Sequence, residues 1–424
     1  MTQPSSNVYA ANQRVLWASL AGTTIEFYDF YIYATAASLV FGPLFFPGSS
    51  PSVQLLQAYA TFSLAFIARP LGSVVFGHFG DRVGRKSTLV ASLLCMGVST
   101  VAIAFLPTYE TAGWWAPAAL SLLRFGQGFG LGGEWGGAAL LAVENAPDSH
   151  RSRFGMVPQL GAPLGFIFAN GLFVLLGLVL TPEDFVAWGW RLPFLASAAL
   201  VGVGLWVRLR LTETPAFAKA MAEAPPPKVP FADVLKHYPR EVFGGIFAVI
   251  CTFATFYIAT AFALGYGTTT LKYPRETFLL VQLAAILFMA FGIVLSGTLA
   301  DKFDERRVLM AGCGGAGIVG FLLAPMMSGG LFSTWMFLSL TLVFMGMTYG
   351  PLGSWLPGLF PARVRYTGVS ITFNVGGILG GAVTPFIAQA LAARGGLPQV
   401  GYYLTAAGVI SFLALSLLKR AHRH

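Results

Sequence analysis

The chain has 424 residues, 56% of them hydrophobic and only 10% charged. A soluble domain carries roughly 25% charged residues, so a water-facing globule is excluded for want of a polar coat. The formal net charge of +9 does not point to nucleic acid, because the basic residues sit in short stretches between apolar runs, a pattern that orients membrane spans.

Residues 1–14 are polar and lack a short apolar core with a cleavage site, so no removable leader is expected. A membrane span needs about 20 mostly apolar residues. Twelve such runs follow, at roughly 15–40, 55–78, 88–107, 114–143, 154–180, 191–211, 240–268, 276–299, 308–327, 331–358, 366–393 and 399–418. Placing both termini in the cytoplasm puts 20 of the 26 Lys and Arg on that side, Arg208 and Arg210 among them, and 4 on the other. Arg69 and Arg124 fall within spans. That bias predicts an even number of spans with both ends inside.

The longest break, 212–239, contains Pro225-Pro226-Pro227. It divides the chain into an expected six-span bundle (1–211), a cytoplasmic linker (212–239) and a second bundle (240–424). The halves echo each other. Gly77–Lys86 follows the second run, and Gly297–Lys302 with Arg306 and Arg307 follows the eighth. Pro147 with Arg151, Arg153 and Gly155 is echoed by Pro361 with Arg363, Arg365 and Gly368. The expected fold is therefore all-α: twelve transmembrane helices in two pseudo-symmetric six-helix bundles that rock about a central site.

In the Gly77–Lys86 loop, Asp81 is placed to pair with basic residues or a helix N-terminus of the other bundle, and it recurs as Asp301. Asp81, Arg82, Arg85 and Lys86 with Glu144, Arg151, Arg153, Asp301 and Arg363 are the expected latch on the cytoplasmic side. The alternative is that these cations only enforce topology. The loop is no phosphate cradle, since Arg85 separates Gly84 from Lys86 and no strand precedes it. Gly128–Gly133 matches G-x-G-x-x-G by letters, but lies mid-span and reads as a glycine-lined packing face. Cys95, Cys251 and Cys313 lie apart in apolar runs, so neither a disulfide nor a metal site is expected.

Charges inside spans are costly and need a partner, a cavity or a function. Here they are Glu26 and Asp29 in the first run, Arg69 in the second, and Arg124 and Glu134 in the fourth. The second half has none well inside a span. Glu26, Asp29 and Tyr33 share one helix face. Arg124, Gln127 and Glu134 share another, within about 80° of arc. Asp29 and Arg124 are expected to meet across the bundle. Burial favours a neutral acid and a facing Arg favours the carboxylate, so drawing the Arg away makes a proton switch. The rival is a permanent salt bridge that orients helices. Asp29, Glu26 and Glu134 are the candidate proton-coupling acids, with a helix tie as the rival for Glu134. Arg69, nearer the cytoplasmic end, is expected to snorkel. Substrate contacts are expected from Arg124, Tyr33 and Gln127, and from the second-half polar groups Tyr257, Gln282, Tyr349 and Asn374, for each of which packing is the rival role.

With Glu26-Phe27-Tyr28-Asp29-Phe30, Arg69-Pro70-Leu71-Gly72, the Gly77–Lys86 loop, Arg124-Phe125-Gly126-Gln127-Gly128, Gly132–Gly137, Glu144–Pro147, Gly189–Phe194 and Glu213-Thr214-Pro215 in view, the chain resembles the major facilitator superfamily. It is specifically similar to the metabolite:H⁺ symporters, which include shikimate, α-ketoglutarate, citrate and proline/betaine carriers. The resemblance implies proton-coupled uptake of a small organic carboxylate or related metabolite by a monomer in a bacterial inner membrane, with protons as coupling ion, no other cofactor and no enzymatic activity. It also implies that Asp29 and Arg124 form the coupling pair. The alternatives are a proton-driven exporter of a metabolite or drug, and a betaine/proline symporter.

Overall fold

The computed structural model describes residues 5–210, 218–219, 221–222 and 230–418, and every regular element among them is helical. Span 1 is Ser5–Ala36, running on through a π turn at Ala37–Phe41. Span 2 is Pro51–Arg82, span 3 Arg85–Ile103, span 4 Trp115–Glu144, span 5 Arg151–Gln159 with Gly161–Val179, and span 6 Leu192–Leu209. In the second half, span 7 is Pro239–Tyr257, continued by a π turn at Ile258–Phe262 and by Ala263–Thr269. Span 8 is Arg275–Lys302, span 9 Glu305–Gly320 and span 10 Leu331–Tyr349. Span 11 is Arg365–Gly377, a π turn at Ile378–Ala382 and Thr384–Gly395, and span 12 is Leu397–Leu417. All twelve expected spans are helices.

Nine of the described helices are long and apolar enough to cross a membrane. The other three are spans 1, 4 and 9. Spans 1 and 4 carry Glu26, Asp29, Arg124 and Glu134, and span 9 is only 16 residues long. Spans 1 and 4, with their buried charges, thus fall short on apolar length, as expected where a membrane helix does chemistry, while span 2 with Arg69 still qualifies.

Local sequence sets the ends. Gly84 takes φ of 128° and reverses the chain between spans 2 and 3, a conformation that a side chain would strain. Asp304 caps span 9 by accepting a bond from the Arg307 amide at 3.2 Å. Span 2 has 32 residues, a length of about 48 Å at 1.5 Å per residue. That exceeds a ~30 Å hydrocarbon core, so its last turn, with Asp81, reaches the interface.

In the first half span 4 packs on spans 2 and 3, span 5 on span 1, and span 6 on span 3. In the second, span 8 packs on span 10 and span 12 on spans 7 and 9. Small residues allow the closest approaches. A methyl group on Gly132 would run into the Arg69 carbonyl, and one on Gly72 into that of Phe129. The same device recurs between spans 8 and 10, at Gly292 against Val343 and Gly346 against Met289. Gly128–Gly133 is therefore a packing face. The halves meet where span 11 lies on spans 2 and 4 and span 8 lies on span 5.

Part of the expected linker is helical: Pro230–His237 packs on spans 2, 7 and 11. Pro225-Pro226-Pro227, Glu213-Thr214-Pro215, Lys228, Lys419, Arg420 and Arg423 lie outside the described residues. The three cysteines are free thiols. Cys251 and Cys313 are not apart, however: their side chains meet between spans 7 and 9.

Candidate functional site

The halves enclose a small cavity of about 30 Å³, with Tyr31, Phe256, Tyr257, Tyr349 and Phe373 in its wall. Arg69 is its one charged lining residue. Arg69 does not snorkel; it is 4% exposed, and Nη2 stands 3.8 Å from Glu26 Oε1. The guanidinium lies over Phe30 and Phe66, 5.0 and 5.4 Å from the ring centroids. Tyr257 and Tyr349 stand at the cavity, and Tyr349 also accepts a 3.1 Å bond from Trp135 Nε1 of span 4.

Asp29 and Arg124 do not form the expected direct pair, since no ion pair joins them within 4 Å. Small hydroxyls fill the space instead. Asp29 accepts from Ser197 Oγ of span 6 at 2.6 Å and from Thr100 Oγ1 of span 3 at 2.9 Å. Gln127 donates to Thr100 Oγ1 at 2.7 Å and accepts from Arg124 Nη1 at 2.7 Å. The acid and the cation are therefore joined by a relay through Gln127 and Thr100. Arg124 is enclosed by Phe30, Phe62 and Tyr33, whose ring centroid is 4.1 Å away. Its Nε and Nη2 have no hydrogen-bond partner. Tyr33 bonds to Thr61 at 2.7 Å. It serves as a wall for Arg124 and does not line the cavity.

A hydroxyl donates to a carboxylate and accepts from a carboxylic acid. Ser197 and Thr100 therefore suit Asp29 in either protonation state. Glu134 has a different environment. Arg208 binds it with Nη1 at 2.9 Å and Nη2 at 2.5 Å, and Ser92 donates at 2.5 Å. A guanidinium only donates, and bidentate pairs of this kind are the strong ones. This corrects the reading of Arg208 as a loop cation: it is 2% exposed, at the end of span 6, with its side chain turned back into the bundle.

Besides Tyr33, four expected substrate contacts stand outside the cavity wall: Arg124 and Gln127, in the relay to Asp29, and Gln282 and Asn374 of the second half. Gln282 donates to the carbonyls of Ala259 and Thr260 at 3.0 and 2.7 Å, because the π turn of span 7 frees backbone acceptors that the amide satisfies. Asn374 donates to Gly132 and Ser370 carbonyls at 3.0 and 2.8 Å, tying span 11 to span 4. Neither lines the cavity.

On the basic face Asp81 accepts from the amides of Tyr366 and Thr367 at 3.1 and 2.9 Å, the first turn of span 11. Arg85 holds Asp81 at 3.0 Å and reaches the Ala362 carbonyl at 3.0 Å. Glu144 lies 3.7 Å from Arg85 and 3.3 Å from Arg365. The second half repeats this. Asp301 accepts from the amides of Ser152 and Arg153 at 2.8 and 3.2 Å, the first turn of span 5, and pairs with Arg153 at 3.4 Å. In the contacts described, four expected members do not bridge the bundles. Arg82 turns to His78, Lys86 donates to the Leu209 carbonyl, Arg363 pairs with Asp233 of the linker helix at 3.1 Å, and Arg151 makes no ion pair among the described residues. Long exposed side chains on this surface find the nearest acceptor. Arg208, Arg365 and the hydroxyls of Thr100 and Ser197 were not among the expected site residues. Arg365 alone carried a signal, as the repeat partner of Arg153.

A family model described as Major Facilitator Superfamily matches residues 19–385. The chain is 49% identical over 422 residues to the inner membrane metabolite transport protein YhjE of Escherichia coli (strain K12), covering 98% of this chain and 95% of that protein. It is 37% identical over 430 residues to the shikimate transporter of Escherichia coli (strain K12), covering 100% and 98%. Among solved structures, the proton:xylose symporter XylE bound to 6-bromo-6-deoxy-D-glucose superposes with a TM-score of 0.80 at 16% identity, over 97% of this chain and 95% of that one. The chain belongs to the Major Facilitator Superfamily, as a multi-pass membrane transporter of metabolites and not an enzyme.

Proposed function

We propose that the protein is a proton-coupled symporter that carries a small organic carboxylate into a bacterial cell, with its basic face and both termini in the cytoplasm. The observation that supports this most is the setting of Asp29: a fully buried acid held by two hydroxyls, linked through Gln127 to a caged Arg124 with two unmet donors. The relatives add support, since two are described as metabolite and shikimate transporters and the structural neighbour as a proton symporter.

In the proposed cycle Asp29 takes a proton from the outer water, and Ser197 turns from donor to acceptor. Arg124, now less strongly held by the relay, stands behind Phe30 of the cavity wall and adds positive potential there for an entering anion. Tyr257 and Tyr349 offer hydroxyls to that anion. The Asp81 and Asp301 contacts are the latches that close the basic face. Hydrogen bonds to charged groups contribute about 1.5–3 kcal/mol each, so a shift of a few kcal/mol, the usual gap between two conformers, opens them. The driving force suffices: about 2.3 kcal/mol per charge per 100 mV and about 1.4 kcal/mol per pH unit per proton. Glu134 we assign to tying span 4 to span 6, not to proton transfer.

The test is uptake by proteoliposomes under an imposed inward proton gradient, with a panel of mono-, di- and tricarboxylates and betaines. One carboxylate class is expected to accumulate, and a protonophore to abolish it. Counterflow of a hydrophobic cation, with no carboxylate accumulated, would replace this reading with export.

A further inference from the structure

Resting on that reading, we propose that Arg69 is the anchor for the substrate carboxylate, that Glu26 is its resident counter-ion, and that the substrate is a monocarboxylate with an apolar body. The argument starts from what surrounds Arg69. It is the one charged residue of the cavity wall, where it stands among Phe and Tyr rings with Met289 and Met345. It is 4% exposed and its Nε has no partner. Glu26, 1% exposed, is its one ionic partner among the described residues. At 3.8 Å the contact is beyond hydrogen-bonding reach, and Glu26 Oε2 is also unsatisfied. Buried polar groups are ordinarily hydrogen-bonded, so two facing charges left this way mark a place for a third group.

A carboxylate entering the cavity supplies the missing acceptors and pairs with the guanidinium in the forked geometry that favours such contacts. Glu26 then loses its nearest cation while remaining buried within reach of Glu134, whose charge Arg208 already balances, and takes one proton from the outer water. Carboxylate and proton leave together to the inner water, after which Glu26 returns to Arg69. Charge balance limits the substrate: one cation, Arg69, lines the cavity and pairs with one carboxylate, while a second carboxylate would lie unpaired among aromatic rings, at a cost that excludes it. The aromatic and thioether wall favours an apolar remainder.

The experiment measures binding to the full chain in nanodiscs by calorimetry in weakly and strongly protonating buffers, with benzoate, cyclohexanecarboxylate, succinate, citrate and glycine betaine as probes. For wild type the two monocarboxylates are expected to bind at least tenfold more tightly than the other probes. Arg69→Gln should weaken them at least tenfold, with Arg69→Lys between the two. Glu26→Gln should bind monocarboxylates more tightly and take up one proton fewer per ligand than wild type. Because Arg69→Gln risks misfolding, the Glu26→Gln proton count is the second, independent readout. An unchanged proton count in Glu26→Gln, or unaltered affinity in a folded Arg69→Gln, overturns the assignment. Tighter binding of betaine overturns the substrate class. Asp29-dependent accumulation of a di- or tricarboxylate alone would keep the proposed symport and overturn this inference, whereas no carboxylate binding at all would overturn both.

Discussion

Asp29 and Glu134 are both fully buried carboxylates of the first half, and their surroundings assign them opposite roles. Glu134 is gripped by both terminal nitrogens of Arg208 and by Ser92, groups arranged to donate to a charged acid. Asp29 is held by Ser197 and Thr100, whose hydroxyls serve the acid with or without its proton. What matters for a buried acid is thus less its depth than whether its partners can reverse direction. Glu26 is a third case, 3.8 Å from Arg69 and without a hydrogen bond. The same half therefore holds one acid that is fixed, one whose partners can switch and one loosely opposed to a cation.

The largest expected effect on stability comes from breaking the fixed pair. Arg208→Leu leaves Glu134 buried without a cation and should cost about 3–5 kcal/mol, read as a fall in thermal unfolding temperature. Adding Glu134→Leu should recover most of that loss, because a buried pair replaced by apolar groups is often neutral. A double variant as unstable as the single would deny that the pair is a structural tie. A smaller effect is expected at the latch. Asp81→Asn weakens the contacts to the Tyr366 and Thr367 amides and to Arg85, and should shift the equilibrium by about 1.5–3 kcal/mol towards an open basic face. Spin-label distances between the ends of spans 2 and 11 would report it. Asp301→Asn should do less, because its partner Arg153 is 28% exposed and solvent shares the charge. The smallest stability change, about 1 kcal/mol, is expected for Glu26→Gln, since Arg69 keeps its contacts with Phe30 and Phe66. A loss as large as that of Arg208→Leu would place Glu26 with the structural ties.

The twelve helices were readable because a span must be about 20 apolar residues and must satisfy its own backbone. The repeat was readable in Asp81 and Asp301, and those two acids do sit on the first turns of spans 11 and 5. The partners of the buried charges were not readable. Helical periodicity places Arg124 and Gln127 on one face, and they do bond. It says nothing about which residue of another helix faces them. Arg208, at the end of a span beside Arg210, looks like one more orienting cation, and only packing shows its side chain turned inward to Glu134. Thr100 and Ser197 are common small residues in membrane helices and carry no signal of their own. Gln282 was misplaced for a related reason: the π turn that recruits it at Ile258–Phe262 has no mark in the apolar pattern.

The most direct test measures proton influx per carboxylate accumulated, in one set of proteoliposomes, for wild type, Asp29→Asn and Glu134→Gln. The account predicts that Asp29→Asn still carries carboxylate across the membrane but moves one proton fewer with each carboxylate than wild type. It predicts that folded Glu134→Gln keeps the wild-type ratio. A wild-type ratio in Asp29→Asn, or a ratio lowered only in Glu134→Gln, would contradict the assignment of the two acids.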